Sequence, residues 1–307
     1  MTSDAQVPAE DVWSQWLLHR RHADDPQVQR AVQAAVDRYI DRVLDAAPLG
    51  PGQTLVDVGA GEGLVAFRAI GRAGPALRVW LTDVSEPMQR YARAQAIERG
   101  VLEQCSFLRC PAERLEGIDD ASVDVVTTRS VLAYVADKSA ALREFHRVLK
   151  PGGRISLAEP VFQDEAIAAQ AIKAVIDSQP AGGVSPLMLL LHRWKAAQFP
   201  DTAEKIRNCP IANYSERDLV RFAQNAGFAE VHLELHIDTG PSIMRSWEAF
   251  IHSSPHPLAP PLNRIMAEQF TATERELFER SMRPVIEDPK ALDTDRMAYL
   301  VARKPSA

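Results

Sequence analysis

A glycine-rich turn constrains the possible folds of this chain more than any other feature. Residues 54–63 read Thr-Leu-Val-Asp-Val-Gly-Ala-Gly-Glu-Gly, so that an apolar strand runs directly into closely spaced glycines. Gly59 and Gly61 lack the Cβ that would prevent a backbone from turning off a buried strand and pressing against a ligand. Asp83 ends the next apolar segment, where a carboxylate can accept hydrogen bonds from both hydroxyls of a ribose. The spacing therefore predicts a site for a ligand that contains a nucleoside.

The composition is that of an ordinary globular chain and disfavours several kinds of partner. With 307 residues, 46% hydrophobic and 25% charged, the chain can bury a large core in one extended domain or in two. Its formal charge of -6 argues against binding to nucleic acid phosphates, which needs clustered lysine and arginine. The first residues lack the pattern of a secretory signal and no apolar run matches a bilayer span, so we expect no membrane insertion. The three cysteines include no CxxC pair, which fits a reducing compartment, and we expect a cytoplasmic protein.

Residues 51–160 show the alternation of strands and helices that is typical of an α/β fold. Short apolar runs between turn signals predict strands at Leu55–Val58, Arg78–Thr82, Cys105–Arg109, Val123–Thr128 and Arg154–Ala158. Helical periodicity predicts helices between them, at Leu64–Arg72, Glu86–Arg99 and Asp137–Leu149. Such a series implies a Rossmann-like doubly wound sheet that binds ligands at the carboxyl ends of its strands. The glycine turn lies at such an end.

Three further regions flank this core. Residues 1–50 predict an N-terminal helical arm, because apolar residues recur at helical spacing from Gln27 to Leu49. Residues 161–213 contain two helical patterns separated by Pro-Ala-Gly-Gly, and we interpret them as a helical lid insertion. Residues 214–307 return to the sheet. The elements predicted there are a helix at Ser215–Asn225, strands at Ala229–Ile237 and Met297–Ala302, and a second helical insertion at about residues 240–293.

Four segments of the core follow one another in a characteristic order. They are Val56-Asp-Val-Gly-Ala-Gly-Glu-Gly63, Pro111-Ala-Glu-Arg-Leu115, Val123-Asp-Val-Val-Thr-Thr-Arg-Ser-Val-Leu132 and Arg147-Val-Leu-Lys-Pro-Gly-Gly153. Together they resemble the motifs of class I S-adenosylmethionine-dependent methyltransferases, in particular the ubiquinone and menaquinone biosynthesis enzymes and their secondary-metabolism relatives. A dinucleotide-binding chain would carry glycine or alanine three positions after Gly61, where this chain has Leu64. The resemblance implies S-adenosyl-L-methionine as the cofactor and methyl transfer as the reaction.

The resemblance also implies which residues contact this cofactor. Asp83 would hold the ribose, and Asp57 would contact the cofactor directly or through the amides of the glycine turn. Glu113 occupies the adenine-facing segment, where aspartate is more usual. Met88 either packs on the adenine face or belongs to a helix core. The full set of expected cofactor-binding residues is Asp57, Gly59, Ala60, Gly61, Asp83, Val84, Met88, Ala112, Glu113 and Arg129.

Candidate catalytic residues follow from position in the chain. Methyl transfer is an in-line displacement that mainly requires alignment and exclusion of water, and a carbon, phenol or ammonium nucleophile also needs a base. Glu159 directly follows the fifth strand and His192 lies in the first insertion, so both are candidate bases. Glu159 can equally pair with Arg129. No metal is expected, because Thr127, Thr128 and Arg129 are poor ligands at the edge where metal-dependent relatives place acidic ones.

Aromatic residues outside the cofactor half predict a hydrophobic pocket for a small, largely apolar acceptor. Through the resemblance, such acceptors include quinols, phenols, amines and isoprenoids. The acceptor-binding candidates are Tyr134, Trp16, His19, Trp194 and Trp247.

Several alternatives remain open on the sequence. The chain can be a fold relative that binds the cofactor but catalyses a non-methylating reaction, or a regulatory module that binds a partner in its groove. A prenyl diphosphate acceptor is a further alternative, with phosphate contacts from Arg20, Arg21, Arg193 and Arg207. The sequence also leaves open whether oxygen, nitrogen or carbon is methylated. A homo-oligomer is possible, and the sequence does not show whether N-terminal helices exchange between its subunits.

Overall fold

The computed structural model describes residues 10–180 and 182–306. The first nine residues of the predicted N-terminal arm, and Ala181 in the Pro-Ala-Gly-Gly break, therefore lie outside the described residues.

A mixed sheet of seven strands organises the described part of the chain, in the order β3-β2-β1-β4-β5-β7-β6. Strands β1 to β5 run parallel, and the chain order reverses between β1 and β4. The last strand, β7, lies between β5 and β6 and runs antiparallel to both. The strands span Thr54–Val58 (β1), Arg78–Asp83 (β2), Cys105–Arg109 (β3), Val123–Arg129 (β4), Leu149–Pro160 (β5), Ala229–Pro241 (β6) and Leu292–Arg303 (β7).

Helices cover both faces of this sheet, which confirms the predicted α/β, Rossmann-like, doubly wound fold. Helices α2, α3 and α4 bury their apolar sides on one face, and α5 and α9 on the other. The helices span Val12–Gln15 (α1), Pro26–Ala46 (α2), Leu64–Ala73 (α3), Glu86–Glu98 (α4), Lys138–Val148 (α5), Gln163–Asp177 (α6), Pro186–Gln198 (α7), Ala203–Arg207 (α8), Glu216–Asn225 (α9), Trp247–His252 (α10), Leu262–Gln269 (α11) and Ala272–Ile286 (α12). Each of those in residues 10–180 and 182–306 falls short of the length or the apolar content that a bilayer span requires.

Helix α2 shows how local sequence sets an element. The carboxylate of Asp25 accepts the amide N–H groups of Gln27 and Val28, and Pro26 occupies the first turn, where its missing N–H costs nothing. The apolar stripe of α2, which includes Ile40, then packs on the sheet. This helix lies close to the one predicted from residue 27 onwards.

The start of β5 differs from the prediction at Arg154. Pairing with β4 already begins at Leu149, and the ladder is interrupted by an irregularity. The amide of Gly152 donates to the carbonyl of Lys304 at 3.0 Å, and a Cβ at Gly153 would lie 2.9 Å from the carbonyl oxygen of Lys150. Gly152 and Gly153 thus form a bulge in β5, because the backbone there packs too closely to leave room for a side chain at Gly153.

The two predicted insertions share a hydrophobic core. Leu190 of α7 packs with Trp247 of α10, with α11, and with Phe278 of α12. Helix α6 packs separately against Phe199 and Ile211. Segments about 60 to 90 residues apart in the chain therefore form one helical subdomain, which we call the lid after the predicted insertion, and the sequence had presented them as two.

Candidate functional site

The glycine turn after β1 adopts a backbone that only glycine enters at low cost. Gly59, Gly61 and Gly63 have φ values of 63°, 52° and 78°. A Cβ at Gly59 would lie 2.4 Å from Cγ2 of Val131, so the turn packs against the loop after β4 without room for a side chain. The amide of Ala60 donates to the carbonyl of Thr82 at 2.8 Å and ties the turn to β2.

Asp83 holds its carboxylate beside this turn. Its Oδ2 accepts the amide N–H of Gly61 at 2.8 Å, and its Oδ1 accepts that of Ser85 at 2.9 Å. Burial raises the pKa of Asp83, and the two amides oppose this shift. Because a carboxylate oxygen has two lone pairs, both oxygens keep capacity for further donors. Asp83 lines the main cavity, and the contact with a ribose remains a prediction.

Asp57 lies behind the turn. Its side chain is almost fully buried, and Oδ1 accepts the hydroxyl of Thr127 at 3.0 Å. Oδ2 has no hydrogen-bond partner among the described residues. Burial raises the pKa of Asp57 to about 7, although the bond from Thr127 and the charge of Arg129 favour the ionised form. Asp57 does not line the cavity, so a contact with the cofactor through intervening groups remains a prediction.

Arg129, the last residue of β4, and Tyr134, on the loop that follows, line the cavity wall. Ser130, between them, has a φ of 59°, which is uncommon for a residue with a side chain. Burial and the neighbouring charge of Arg21 lower the pKa of Arg129. The backbone of Arg129 pairs with Ala158 in the sheet. Within the described ranges its guanidinium forms no hydrogen bond or ion pair, and the neighbouring carboxylate of Glu62 pairs with Arg21 instead. Its guanidinium is therefore available to an anionic ligand.

Glu159 of β5 forms hydrogen bonds with the end of β4 and with the loop that follows it. Its Oε1 accepts the hydroxyl of Thr128 at 2.5 Å, and its Oε2 accepts the amide N–H groups of Val131 at 2.9 Å and Ala133 at 3.4 Å. Burial raises the pKa of Glu159 to about 7, although these hydrogen bonds favour the ionised form and oppose the shift. The side chain is fully buried and does not line the cavity. Its position supports neither the predicted role as base nor the alternative ion pair with Arg129.

Several residues that the resemblance assigns to the adenine lie in the cavity wall. Val84, Ala112 and Glu113 line the wall. Met88 is fully buried in α4 and does not line the cavity. This position agrees with the alternative in which Met88 belongs to a helix core. Ala60 is buried within the turn. Two further wall residues follow β3: Pro111 begins the segment that the resemblance assigns to adenine, and Cys110 directly precedes it.

The N-terminal segment, which comprises α1 and residues 16–21, packs over the glycine turn. Trp16 and Leu17 line the cavity, and Cδ1 of Leu17 would lie 3.3 Å from a Cβ at Gly61. The indole N–H of Trp16 donates to the carbonyl of Ser254 at 3.1 Å, which connects the segment to the second insertion. The guanidinium of Arg21 forms an ion pair with Glu62 at 3.1 Å. The segment therefore acts as a cover over the proposed cofactor site.

Four other predicted residues lie outside the main cavity. His19 is half exposed and contacts Asp24 at 3.1 Å. His192 hydrogen bonds to Asp201 at 3.0 Å within the lid. Trp247 is buried in the lid core, and Trp194 lines a separate cavity of about 360 Å³. The structure places none of these four side chains in the wall of the main cavity. His192, Trp194 and Trp247 pack within the lid, whereas His19 contacts Asp24 in the N-terminal segment.

The arginines considered for a diphosphate are dispersed as well. Arg21 lines the cavity and pairs with Glu62, whereas Arg193 pairs with Glu274 in the lid. Arg20 donates to the carbonyls of Val12 and Pro257. This arrangement does not form a four-arginine phosphate site.

The main cavity has a volume of about 740 Å³ and extends beyond the cofactor residues. Further lining residues are side chains that sequence reasoning did not assign to the site. They are Val32, Val36, Tyr39, Val131 and Val135, with Asp238 of β6 and Asp295 of β7. Trp13, one of the aromatic residues outside the cofactor half, also lines the cavity. The helical periodicity of α2 predicted packing, but it did not show that one side of the stripe lines a cavity. Across residues 10–180 and 182–306, no three His, Cys, Asp or Glu side chains cluster in a way that would hold a metal ion.

Comparison with known proteins identifies related chains. A family model described as a methyltransferase domain matches residues 56–157. The ubiquinone/menaquinone biosynthesis C-methyltransferase UbiE of Xylella fastidiosa is 32% identical over 182 residues, which cover 59% of this chain and 68% of that one. UbiE of Cupriavidus metallidurans is 38% identical over 113 residues, but the match covers 37% of this chain and spans only 45% of the relative's length.

A third relative and a solved structure extend these similarities. The nocamycin O-methyltransferase of Saccharothrix syringae is 35% identical over 207 residues, which cover 64% of this chain and 66% of that one. A crystal structure of a putative methyltransferase from Bacillus halodurans has a TM-score of 0.54 at 19% identity, and the match covers 87% of this chain and 98% of that one. At that identity, the structural similarity supports the fold alone.

Proposed function

Because this chain belongs to the class I S-adenosylmethionine-dependent methyltransferases, we propose that it transfers a methyl group from S-adenosyl-L-methionine to a small, largely apolar acceptor. The observation that carries this proposal is a continuous cavity that runs from the glycine turn and Asp83 to an aromatic wall at Tyr39 and Trp13. Its volume of about 740 Å³ suits two small ligands side by side better than a polymer in an open groove.

The residues present fit the cofactor at three points. Bare backbone at Gly59 and Gly61 allows the amino-acid tail to approach closely. The carboxylate of Asp83 faces the cavity and can accept the ribose hydroxyls. The guanidinium of Arg129 has no hydrogen-bond partner among the described residues and can pair with the cofactor's carboxylate. When bound, the cofactor supplies an electrophilic methyl group on a sulfonium.

The far wall indicates the class of acceptor. Trp13 and Tyr134 contact edge to face with their ring centroids 5.2 Å apart, and Val131 and Val135 continue the apolar lining. Such a wall excludes water and favours planar or aliphatic ligands. The names of the relatives include both a C- and an O-methyltransferase, so the methylated atom is left open in this proposal.

The ionisable side chains of the wall limit the nucleophile further. Neither histidine nor lysine lines the described cavity, and its acceptor end carries the carboxylates of Asp238, Asp293 and Asp295. A carboxylate is a weak base, so it deprotonates a phenol or an enol more readily than an unactivated alcohol. We therefore propose a mildly acidic oxygen or carbon nucleophile.

Labelled methyl donor tests this function directly. Purified protein is incubated with S-adenosyl-L-methionine labelled in its methyl group and a small-molecule extract of the host, and the organic phase is analysed for labelled product. The proposal expects product with the wild-type protein and almost none with Asp83→Asn. Tight binding of the cofactor without any labelled product would instead support a non-methylating reaction. Binding of neither the cofactor nor its demethylated form would remove the proposal.

We propose a reducing, cytoplasmic compartment for this activity. Cys105, Cys110 and Cys209 are all free thiols, and burial raises the pKa of the first two to about 11. Unpaired cysteines of this kind are common where glutathione keeps thiols reduced.

A further inference from the structure

Strand β6 forms an open edge of the sheet. Among the described residues it pairs only with β7, and α9 packs on one of its faces. Its outer side therefore presents backbone N–H and C=O groups without strand partners. The side chains of Leu235 and Ile237 are 38% and 57% exposed. Exposed apolar side chains on a long edge favour pairing with another strand, whereas charged residues, proline and bulges restrict which strand can pair and where.

The two faces of β6 differ in chemistry. His232, Glu234, His236 and Asp238 alternate along the face that meets α2, where Glu234 pairs with Arg42. Apolar residues alternate along the opposite face. A register shift between Ala229 and His232, with a φ of 50° at Glu230, distorts the beginning of the strand. Regular pairing with another chain is therefore restricted to the stretch from His232 onwards.

We propose that β6 pairs with β6 of a second copy of this chain, antiparallel about a two-fold axis at Leu235, which joins two seven-stranded sheets into one. In this register His232 lies opposite Asp238, and Glu234 lies opposite His236. On the other face Leu233 lies opposite Ile237, and Leu235 lies opposite itself. Each charged or polar pair occurs twice because the interface is symmetric, and directly opposed side chains of opposite charge stabilise antiparallel pairing.

Neighbouring registers lack this complementarity. An axis at Glu234 places that carboxylate opposite its own copy and Glu230 opposite Asp238. An axis at His236 places Glu234 opposite Asp238. Axes between residues would oppose the polar face of one strand to the apolar face of the other, because side chains alternate with a period of two. An axis at Leu233 pairs His232 with Glu234, and an axis at Ile237 pairs His236 with Asp238, so each keeps one kind of complementary pair within the regular stretch. The axis at Leu235 pairs all four of these polar side chains, and we therefore place the centre there.

This pairing also reaches the functional cavity. Asp238 and the residues that follow it to Pro241 line the acceptor end. The second copy therefore places its His232 beside Asp238, which is one of the lining residues of the cavity.

A charge-exchange cycle tests the interface in the full-length protein. Sedimentation velocity over a range of concentrations is expected to show reversible association to twice the 34.0 kDa chain mass. His232→Glu places a carboxylate opposite Asp238 at both symmetry-related positions of the interface. This substitution should weaken association by about 10-fold or more. Asp238→Lys should weaken it less. The double variant, which restores opposite charges, should recover most of the affinity, and this recovery separates a lost interface from misfolding.

Cysteine cross-linking tests the register. Leu235→Cys should give a disulfide-linked dimer under mild oxidation, because residues directly opposite lie within about 5.5 Å. Ile237→Cys is the matched control, since its two copies would lie about 13 Å apart along the strands. The unchanged protein controls for the three native cysteines. A monomer at every concentration, a dimer that is unaffected by the charge variants, or cross-linking through Ile237→Cys alone would overturn the proposal.

Discussion

Arg129 is the residue whose position makes the sharpest prediction about ligand binding. It lines the cavity beside the glycine turn, and its guanidinium has no hydrogen-bond partner among the described residues. Arg129→Ala should lower the affinity for S-adenosylhomocysteine by about 10- to 100-fold, because a hydrogen bond to a charged group contributes roughly 1.5–3 kcal/mol. The affinity for 5′-methylthioadenosine, which lacks the amino-acid tail, should be unchanged. Isothermal titration calorimetry measures both.

The control for this experiment is Arg38→Ala, which removes the same charge from the acceptor end of the cavity. It should leave both affinities near their original values. Equal losses for the two ligands in Arg129→Ala would show that the arginine does not bind the carboxylate and acts on the shape of the loop.

Glu159 predicts a specific dependence of stability on pH. Its pKa lies at about 7 in the folded chain, above its ordinary value of 4.5. Between these two values the unfolded chain releases a proton that the folded chain retains, so this carboxyl progressively lowers the free energy of unfolding as the pH rises. Glu159→Gln removes the effect. From pH 4.5 to pH 8, the stability of the variant relative to wild type should therefore increase by on the order of 3 kcal/mol.

Urea unfolding at several pH values measures this difference. The hydrogen bonds changed by the substitution add an offset that does not depend on pH, so only the slope is informative. Glu86→Gln, at an exposed carboxyl that pairs with Arg109, is the control. A difference between Glu159→Gln and wild type that stays constant over the whole range would contradict the buried position of this carboxyl.

At the scale of elements, substitutions at two glycines on either side of β1 distinguish the cost of backbone strain from the cost of lost close packing. Gly52 and Gly59 have similar positive φ values of 77° and 63°, but a Cβ at Gly52 meets nothing within 4 Å, whereas one at Gly59 collides with Val131. Gly52→Ala should cost about 1 kcal/mol from strain alone. Gly59→Ala should cost at least about 2 kcal/mol more, because two packed elements must move apart.

Val131→Ala should relieve the collision caused by Gly59→Ala, because the closest atoms to the added Cβ are the two Cγ atoms of Val131. In the Gly59→Ala background it should recover part of the stability in thermal unfolding. Equal costs at the two glycines, or no recovery in the double variant, would show that the turn does not depend on this contact.

The elements of the core were predictable because their signals are local. Strands β1 to β3 begin and end within a residue of their predicted limits, since each apolar run is bounded by turn residues. The antiparallel insertion of β7 was not evident, because strand order depends on which edge a returning chain reaches. The shared core of the two lid insertions also depends on contacts between distant segments.

At the scale of the whole molecule, ligand binding should raise thermal stability selectively. A ligand that binds only the folded chain stabilises it by about 2.7 kcal/mol at a concentration of one hundred times its Kd. For a chain of this length this corresponds to a rise in Tm on the order of 4 °C. S-adenosylhomocysteine should produce the rise in differential scanning fluorimetry.

A dinucleotide provides the comparison for this measurement. NAD should leave the Tm unchanged, because Leu64 occupies the position where dinucleotide sites require a small residue. Asp83→Asn should reduce the rise with S-adenosylhomocysteine. A larger shift with NAD than with the adenosyl ligand would contradict the cofactor assignment.

The sequence by itself determined the parallel core, the glycine turn and the carboxylate of Asp83, because these features depend on the order of neighbouring residues and on the intrinsic limits of the backbone. Only the tertiary structure decided that Glu159 supports a loop, that His192 and Trp247 belong to the lid, and that α2 and the ends of β6 and β7 complete the acceptor wall. Those roles depend on packing between segments far apart in the chain. A residue's own type and spacing do not encode which distant side chains will surround it.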